Sequence, residues 1–165
     1  MTAPVRVEVF GRTDVGMTRD HNEDSFLVAD LSRRVASLQP DVREHEVGQR
    51  GSLFVVADGM GGAAAGEIAS DMATETIYNH MIDSWGNDPE LTEQRFAYRL
   101  KEAVAIANGN IHEFATNHPE HRGMGTTTTA AGIFAGALYL TQIGDSRGYL
   151  IRNGRITQIT KDQSL

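Results

Sequence analysis

The sequence predicts an α+β fold, with strands first, two helices next and strands only after that. Apolar residues alternate with polar ones near the N-terminus, recur at helical spacing between 65 and 114, and form short strand-like blocks again from Gly125. Strands and helices are therefore segregated along the chain and do not alternate as βαβ units. Both helical stripes need a sheet to cover, which joins residues 1–165 into a single domain.

Val5, Val7 and Val9 alternate with Arg6 and Glu8, the pattern of a half-buried strand. Ser25 to Asp30 forms a second short strand. Residues 31–50 hold Arg33, Arg34, Asp41, Arg43, Glu44, His45, Glu46 and Arg50 with little periodicity, so a long solvated hairpin loop is expected there. Leu53 to Ala57 is an apolar strand that stops at Asp58-Gly59. The Gly- and Ala-rich stretch Met60 to Gly66 leads into a helix whose Ala65, Ile68, Ala69, Met72, Ala73 and Ile77 share one face. A second helix is expected directly after Asp88-Pro89, with Asp88 as cap and proline at the first helical position. Its stripe is Phe96, Leu100, Ala103, Val104, Ala107, Ile111 and Phe114, and Asn117-His118-Pro119 ends it. Strands follow at Thr126 to Phe134, Ala137 to Ile143, Arg147 to Ile151 and Ile156 to Thr160. They are separated by Gly136, Gly144-Asp145-Ser146 and Asn153-Gly154, the last a strong hairpin signal.

The balance of 22 Asp and Glu against 15 Lys and Arg gives a net charge of −7. Such a chain lacks the basic face that nucleic-acid binding requires. With no cysteine, disulfides, thiolate zinc sites and cysteine nucleophiles are all excluded, and a cytoplasmic location is expected. The longest apolar run, Ala130 to Leu140, is too short to span a bilayer and is interrupted by Gly132 and Gly136, so no membrane association is expected. Met1 to Phe10 carries no apolar signal core. Any metal must be held by oxygen or histidine, which favours Mg, Mn or Ca.

Four groups carry candidate chemistry: Arg19-Asp20-His21-Asn22-Glu23-Asp24, Val55 to Gly62 with Asp58-Gly59 at its centre, Met124-Gly125-Thr126-Thr127, and Ile143-Gly144-Asp145-Ser146-Arg147. Each alone is an ordinary turn or strand sequence. Together they place Asp58, Asp145, Glu23 and Asp24 at strand ends, where carboxylates converge as hard-cation sites require. Gly59 permits close approach of its carbonyl to a cation. Arg19 is the one cation near this acidic group in sequence, and a guanidinium matches phosphate geometry. Hard cations with one arginine form the composition of a phosphoryl-transfer site, and the ions would draw an anion into an acidic cleft.

In order and spacing, from about Val9 to Leu165, these groups resemble the metal-dependent protein phosphatases of type 2C, the PPM family. The closing Thr160-Lys161-Asp162-Gln163-Ser164-Leu165 is similar to the segment that follows in that family, and Met60-Gly61-Gly62 resembles its bacterial branch. The resemblance implies an α-β-β-α sandwich of two antiparallel sheets flanked by helices. It implies hydrolysis of phosphoserine and phosphothreonine in proteins with two Mn2+ or Mg2+ ions and a weaker third. In that reading Asp58 is catalytic and bridges both metals, the Gly59 carbonyl binds one, and Glu23 and Asp24 lie at the metals directly or one layer out. Asp145 binds the third metal and Arg19 holds the substrate phosphate. A cognate Ser/Thr kinase or its substrates are the implied partners.

The chain departs from the family pattern at two points. Met60 stands where animal members have a histidine, and a thioether cannot protonate a leaving alkoxide; nearby His21 reads as a solvated side chain. The further metal aspartates of the family fall after the Gly-Asp-Ser-Arg turn, so 1–165 is expected to be about the first two-thirds of a catalytic domain. The alternative to an active phosphatase is then a catalytically inactive, truncated phosphatase-like domain acting in binding or regulation. A remote alternative reads Gly59 to Ala64 as a G-x-G-x-x-A nucleotide loop. Against it stand Asp58 beside a pyrophosphate, no acid-ended strand about twenty residues on, and a later meander.

Overall fold

The computed structural model describes residues 3–37, 43–62 and 64–163. Met1, Asp41, Ala63, Ser164 and Leu165 lie outside them. The elements run β1 (Arg6–Val9), β2 (Asp24–Asp30), β3 (Val35–Ser37), β4 (Arg43–Glu46), β5 (Ser52–Met60), α1 (Ala65–His80), α2 (Glu93–Asn117), β6 (Gly125–Thr126), β7 (Thr128–Phe134), β8 (Ala137–Ile143), β9 (Tyr149–Arg152) and β10 (Arg155–Gln158). All strand pairs are antiparallel. A six-stranded sheet has the path β3-β2-β5-β7-β8, with β6 on the end of β5. The described residues thus form no parallel strand–helix–strand unit, and the nucleotide-loop alternative loses its fold. No helix among them is long and apolar enough to cross a membrane.

Period-two alternation gives the sheet two different faces. Leu27, Ala29, Leu53, Val55 and Ala130 point to one side and pack beneath Ile77 of α1 and Phe96, Leu100, Ala103, Val104 and Ala107 of α2. The α2 stripe is buried as its spacing predicts, apart from half-buried Phe114; on α1, Ile68 and Met72 are also only half-buried. Gly132 allows the close approach: a Cβ there would lie 2.5 Å from the Phe96 ring. On the opposite face the two-stranded β1–β4 ribbon begins a second layer, with His45 Nε2 2.7 Å from Ser52 Oγ and the Phe26 ring filling the space beside Gly11.

Three expectations are corrected. The strand of Leu53 to Ala57 does not stop at Asp58-Gly59, because β5 runs on to Met60 by pairing Gly59 and Met60 with Thr126 and Gly125. Residues 31–50 are not one loop, because β3 pairs with β2 and β4 pairs with β1. The charged sequence of β4 hides a strand that is held by its backbone ladder. Helix α2 begins at Glu93, not after Pro89, and Thr92 caps it by accepting the Arg95 N–H at 3.2 Å. Asp88 is instead buried, forms an ion pair with Arg95 Nη2 at 2.9 Å and accepts from Arg99 Nε at 3.1 Å. Burial alone would raise its pKa, but the Glu90 N–H and both guanidiniums outweigh that and lower it.

Glu102 extends the same network. It accepts from His80 Nε2 at 2.8 Å and Arg99 Nη1 at 2.9 Å, contacts that hold its pKa down at about 2 against 4.5 for the free side chain. A depressed carboxylate pKa stabilises the fold above the unfolded value, and that stability is lost as pH falls from 4.5 towards 2. The urea midpoint is therefore expected to drop between about pH 6 and about pH 3, and Glu102→Gln should flatten the drop. An equal drop in the variant would remove Glu102 from this role.

Candidate metal centre

The β2–β5 ladder sets Asp24 directly opposite Asp58. Both belong to the face turned away from the helices, since Ser25, Ala57 and their alternates take the covered side. Across Asp58 on its other flank stands Thr127, at a break between β6 and β7 where the register nevertheless continues from Val56↔Thr129 to Gly59↔Thr126. Thr127 N–H donates to the Asp58 carbonyl at 2.9 Å, and Asp58 N–H donates to Thr127 Oγ1 at 3.1 Å. A side-chain hydroxyl thus replaces one ladder carbonyl. Thr127 Oγ1 also lies 2.6 Å from Ser146 Oγ, which ties the Asp58 backbone to the turn that carries Asp145.

That turn is clamped from outside. Gln163 N–H donates to the Gly144 carbonyl at 3.0 Å, and Gln142 Nε2 donates to the carbonyls of Gly144 at 2.9 Å and Ser146 at 3.2 Å. Gly144 has φ +97°, a conformation that favours glycine. Arg147, the last residue of the Gly-Asp-Ser-Arg group, does not face the site. Its Nε donates to both Asp162 oxygens at 2.9 and 3.0 Å, so this pair holds the turn in place.

Glu23 is placed by two glycines. Gly59 N–H donates to the Glu23 carbonyl at 3.1 Å, and a Cβ on Gly59 would lie 2.1 Å from the Gly66 carbonyl oxygen. A Cβ on Gly66 would lie 2.0 Å from Glu23 Oε2. Only with both positions bare can β5, the start of α1 and the Glu23 carboxylate meet. Asp24 is set by an Asx turn, its N–H donating to Asn22 Oδ1 at 2.9 Å, and Thr13 Oγ1 donates to its Oδ2 at 3.4 Å. Asn22 in turn donates its amide to the Thr13 hydroxyl.

The charges are unbalanced. Partial burial raises the Asp58 pKa first, and the charge and hydrogen-bonding reach of the Asp24 carboxyl add to it; Arg19 lowers it, and Asp145 contributes a smaller rise. Among the described residues none of Arg19, Glu23, Asp24, Asp58 and Asp145 forms an ion pair. Arg19 lines an open cleft of about 410 Å³ with Asp20, His21, Glu23, Met60, Gly61 and Gly62. Glu23 borders this cleft directly, whereas Asp145 acts on Asp58 through its field. His21 is exposed yet lines the cleft, which its sequence context did not show. Thr127, Asn22 and Gly66 contact Asp58, Asp24 and Glu23 directly, and Ser146 and Gln163 hold the turn that carries Asp145. Their signal was present as the Gly-Thr-Thr and Gly-Asp-Ser groups, but their roles depend on register.

Oxygen donors, mutual repulsion and an uncompensated Asp58 fit Mg2+ or Mn2+. The set is partial, since the described residues gather no three carboxylates or imidazoles tightly enough to hold an ion by themselves. Asp24 and Asp58 on paired strands, with Glu23 and the Arg19 guanidinium nearby, make a candidate centre for a hard cation together with an oxyanion. Residues 33–164 match the family model of Protein phosphatase 2C, and the chain belongs to that family. It is 39% identical over 154 residues to the serine/threonine protein phosphatase PstP of Mycobacterium tuberculosis, covering 93% of this chain and 24% of that protein. It is 34% identical over 155 residues to the serine/threonine phosphatase stp of Listeria welshimeri, covering 93% of this chain and 54% of that protein. The crystal structure of the PstP catalytic domain in complex with 2 manganese ions superposes with a TM-score of 0.68 at 36% identity, covering 96% of this chain and 57% of that one. The antiparallel sheet under two helices is thus the family's fold, and the chain spans between a quarter and about half of these relatives' length.

Proposed function

We propose that the chain is part of a type 2C catalytic domain that hydrolyses phosphoserine and phosphothreonine in proteins with Mn2+ or Mg2+. The observation that carries this reading is the Asp24–Asp58 pair, with Asp58 raised by burial and by its neighbour, beside the unpaired Arg19. Asp58, the Gly59 carbonyl, Glu23, Asp24 and, more remotely, Asp145 hold the cations. Bound there, they supply Lewis acidity and lower the pKa of water. The rest of the work belongs to the chain. Arg19 receives the phosphate oxyanion in the cleft and orients phosphorus towards the carboxylates. The Thr127–Ser146 hydroxyl pair and the Gln163 clamp keep the Asp58 and Asp145 ends at a constant spacing. Met60 offers no proton to the leaving oxygen, so that proton comes from another group of the complete domain.

The partners in this reading are phosphorylated proteins, with a cognate Ser/Thr kinase or its substrates, in the cytoplasm. The remaining metal ligands are proposed to belong to the part of the family's catalytic domain that residues 1–165 do not span. The test is hydrolysis of a phosphothreonine peptide and of p-nitrophenyl phosphate by the full-length protein, with Mn2+ and with EDTA. Activity that survives EDTA contradicts the reading, and binding without turnover in Mn2+ assigns the domain to a regulatory role. Arg19→Ala is expected to raise KM for the peptide by about tenfold or more with kcat little changed, because a charge-assisted phosphate contact is lost from ground and transition states alike. An unchanged KM would remove Arg19 from phosphate binding.

A further inference from the structure

The β9–β10 hairpin leads away from the Asp145 turn and carries two arginines that the site does not use. Arg152 and Arg155 are direct cross-strand partners across Asn153-Gly154, whose φ values of +52° and +72° form a tight hairpin turn. Like charges placed directly opposite each other destabilise a strand pair. Neither guanidinium has an ion pair or side-chain hydrogen bond among the described residues, and both are exposed. Leu150 and Thr157 share their face, and with Asn153 the four line an open concavity of about 480 Å³. On a chain of net charge −7, this is a local reversal of the field.

The hairpin is also fixed relative to the candidate metal centre. Ile159 N–H donates to the Gly148 carbonyl at 2.9 Å, Gly148 N–H donates to Thr160 Oγ1 at 2.9 Å, and Lys161 N–H donates to Gln142 Oε1 at 3.1 Å. Six residues lie between Asp145 and Arg152, so the two are within about 23 Å at roughly 3.3 Å for each of the seven steps. An extended peptide covers that span in about seven residues.

We propose that Arg152 and Arg155 form a docking site for a carboxylate-rich segment of the protein substrate, flanking its phosphorylated residue. The assignment rests on the phosphatase reading for its consequence in turnover, but not for binding. Among the described residues the two guanidiniums pair with no acid, and each carries five N–H donors, which suits clustered Glu or Asp side chains. The strand pair is weakened by the repulsion and regains that free energy when the segment binds.

The test uses the full-length protein and the double variant Arg152→Ser/Arg155→Ser. The probe is a fluorescein-labelled, unphosphorylated peptide with four consecutive glutamates, followed by anisotropy at low salt. The variant is expected to bind it about three- to tenfold more weakly, and added salt should reduce the difference. In Mn2+, kcat/KM for a phosphothreonine peptide that carries the glutamates on the same chain should fall by the same factor, while p-nitrophenyl phosphate turnover stays unchanged. The thermal midpoint should stay level or rise. Equal peptide affinity in wild type and variant overturns the proposal. So does a lowered thermal midpoint in the variant, which would show the arginines paired within the full-length chain. Loss of all hydrolysis with the anisotropy difference intact would count against the phosphatase reading alone.

Discussion

Asp58→Asn is expected to lower the phosphatase rate of the full-length protein by at least about 10²- to 10³-fold, the scale on which a charge aimed at the reacting centre acts. Asparagine keeps the size and the strand, so the fold should survive. Asp58 faces Asp24 across the β2–β5 ladder and is held there by two hydrogen bonds to Thr127. Its raised pKa means that the folded chain binds a proton more tightly than the unfolded one. Stability then falls as pH rises through the folded pKa, and at neutral pH the ionised carboxylate works against the fold. Asparagine removes that repulsion, so the variant should melt at the same temperature or higher in EDTA. Wild type should gain thermal midpoint with added Mn2+ by mass action, and the variant should gain little. An Mn2+-dependent gain of equal size in both proteins would place the cation elsewhere.

The largest expected effect on stability is at Trp85. Its side chain is fully buried, edge-on to Phe96 at 5.2 Å and Phe134 at 5.0 Å, with those two rings stacked at 5.1 Å. Its indole N–H donates to the Arg50 carbonyl at 2.8 Å, and Arg50 Nη1 donates to the carbonyls of Trp85 at 2.7 Å and Asp88 at 2.8 Å. Trp85→Ala removes the centre of this cluster and leaves a cavity, at about 3–5 kcal/mol. Trp85→Phe keeps much of the packing and loses the Arg50 hydrogen bond, worth about 1 kcal/mol. Urea unfolding of wild type and both variants checks the order, and an alanine variant within about 1 kcal/mol of wild type would show that the cluster is not the centre of the core.

Trp85 also shows where sequence reading ends. It lies in a π-helical turn, Met81–Trp85, that follows α1 and points both Met81 and Trp85 inward. One extra residue in a turn leaves no trace in a 3.6-residue pattern. By contrast, the α2 stripe was legible because a single face is buried against a sheet. The limits of β8 were legible because Gly136 and Gly144, with φ of +77° and +97°, bracket it. β4 was illegible because its charged residues Glu44, His45 and Glu46 mask the strand period, and only pairing with β1 makes it a strand. Asp88 reads as a cap from its neighbours in sequence, but Arg95 and Arg99 claim its carboxylate from the helix that follows.

The candidate site divides in the same way. Asp58, Gly59, Glu23, Asp24, Asp145 and Arg19 were legible as candidate residue types from their motifs, although Asp58 and Gly59 lie inside β5 and not at its end. Their supports were not, because support is a matter of register and close approach. Thr127 acts through its hydroxyl only because it stands opposite Asp58, and Gly66 matters only because the Glu23 carboxylate lies over it. Arg147 looked like part of the chemistry and is instead the clamp on Asp162.

The central claim is that Asp58, with the Gly59 carbonyl, holds a divalent cation beside Arg19. Manganese anomalous diffraction from crystals of the full-length protein grown with Mn2+ tests it most directly. The prediction is an anomalous peak about 2.0–2.3 Å from an Asp58 carboxylate oxygen and from the Gly59 carbonyl oxygen. Strong manganese peaks at other carboxylates, with none bonded to Asp58, would contradict it.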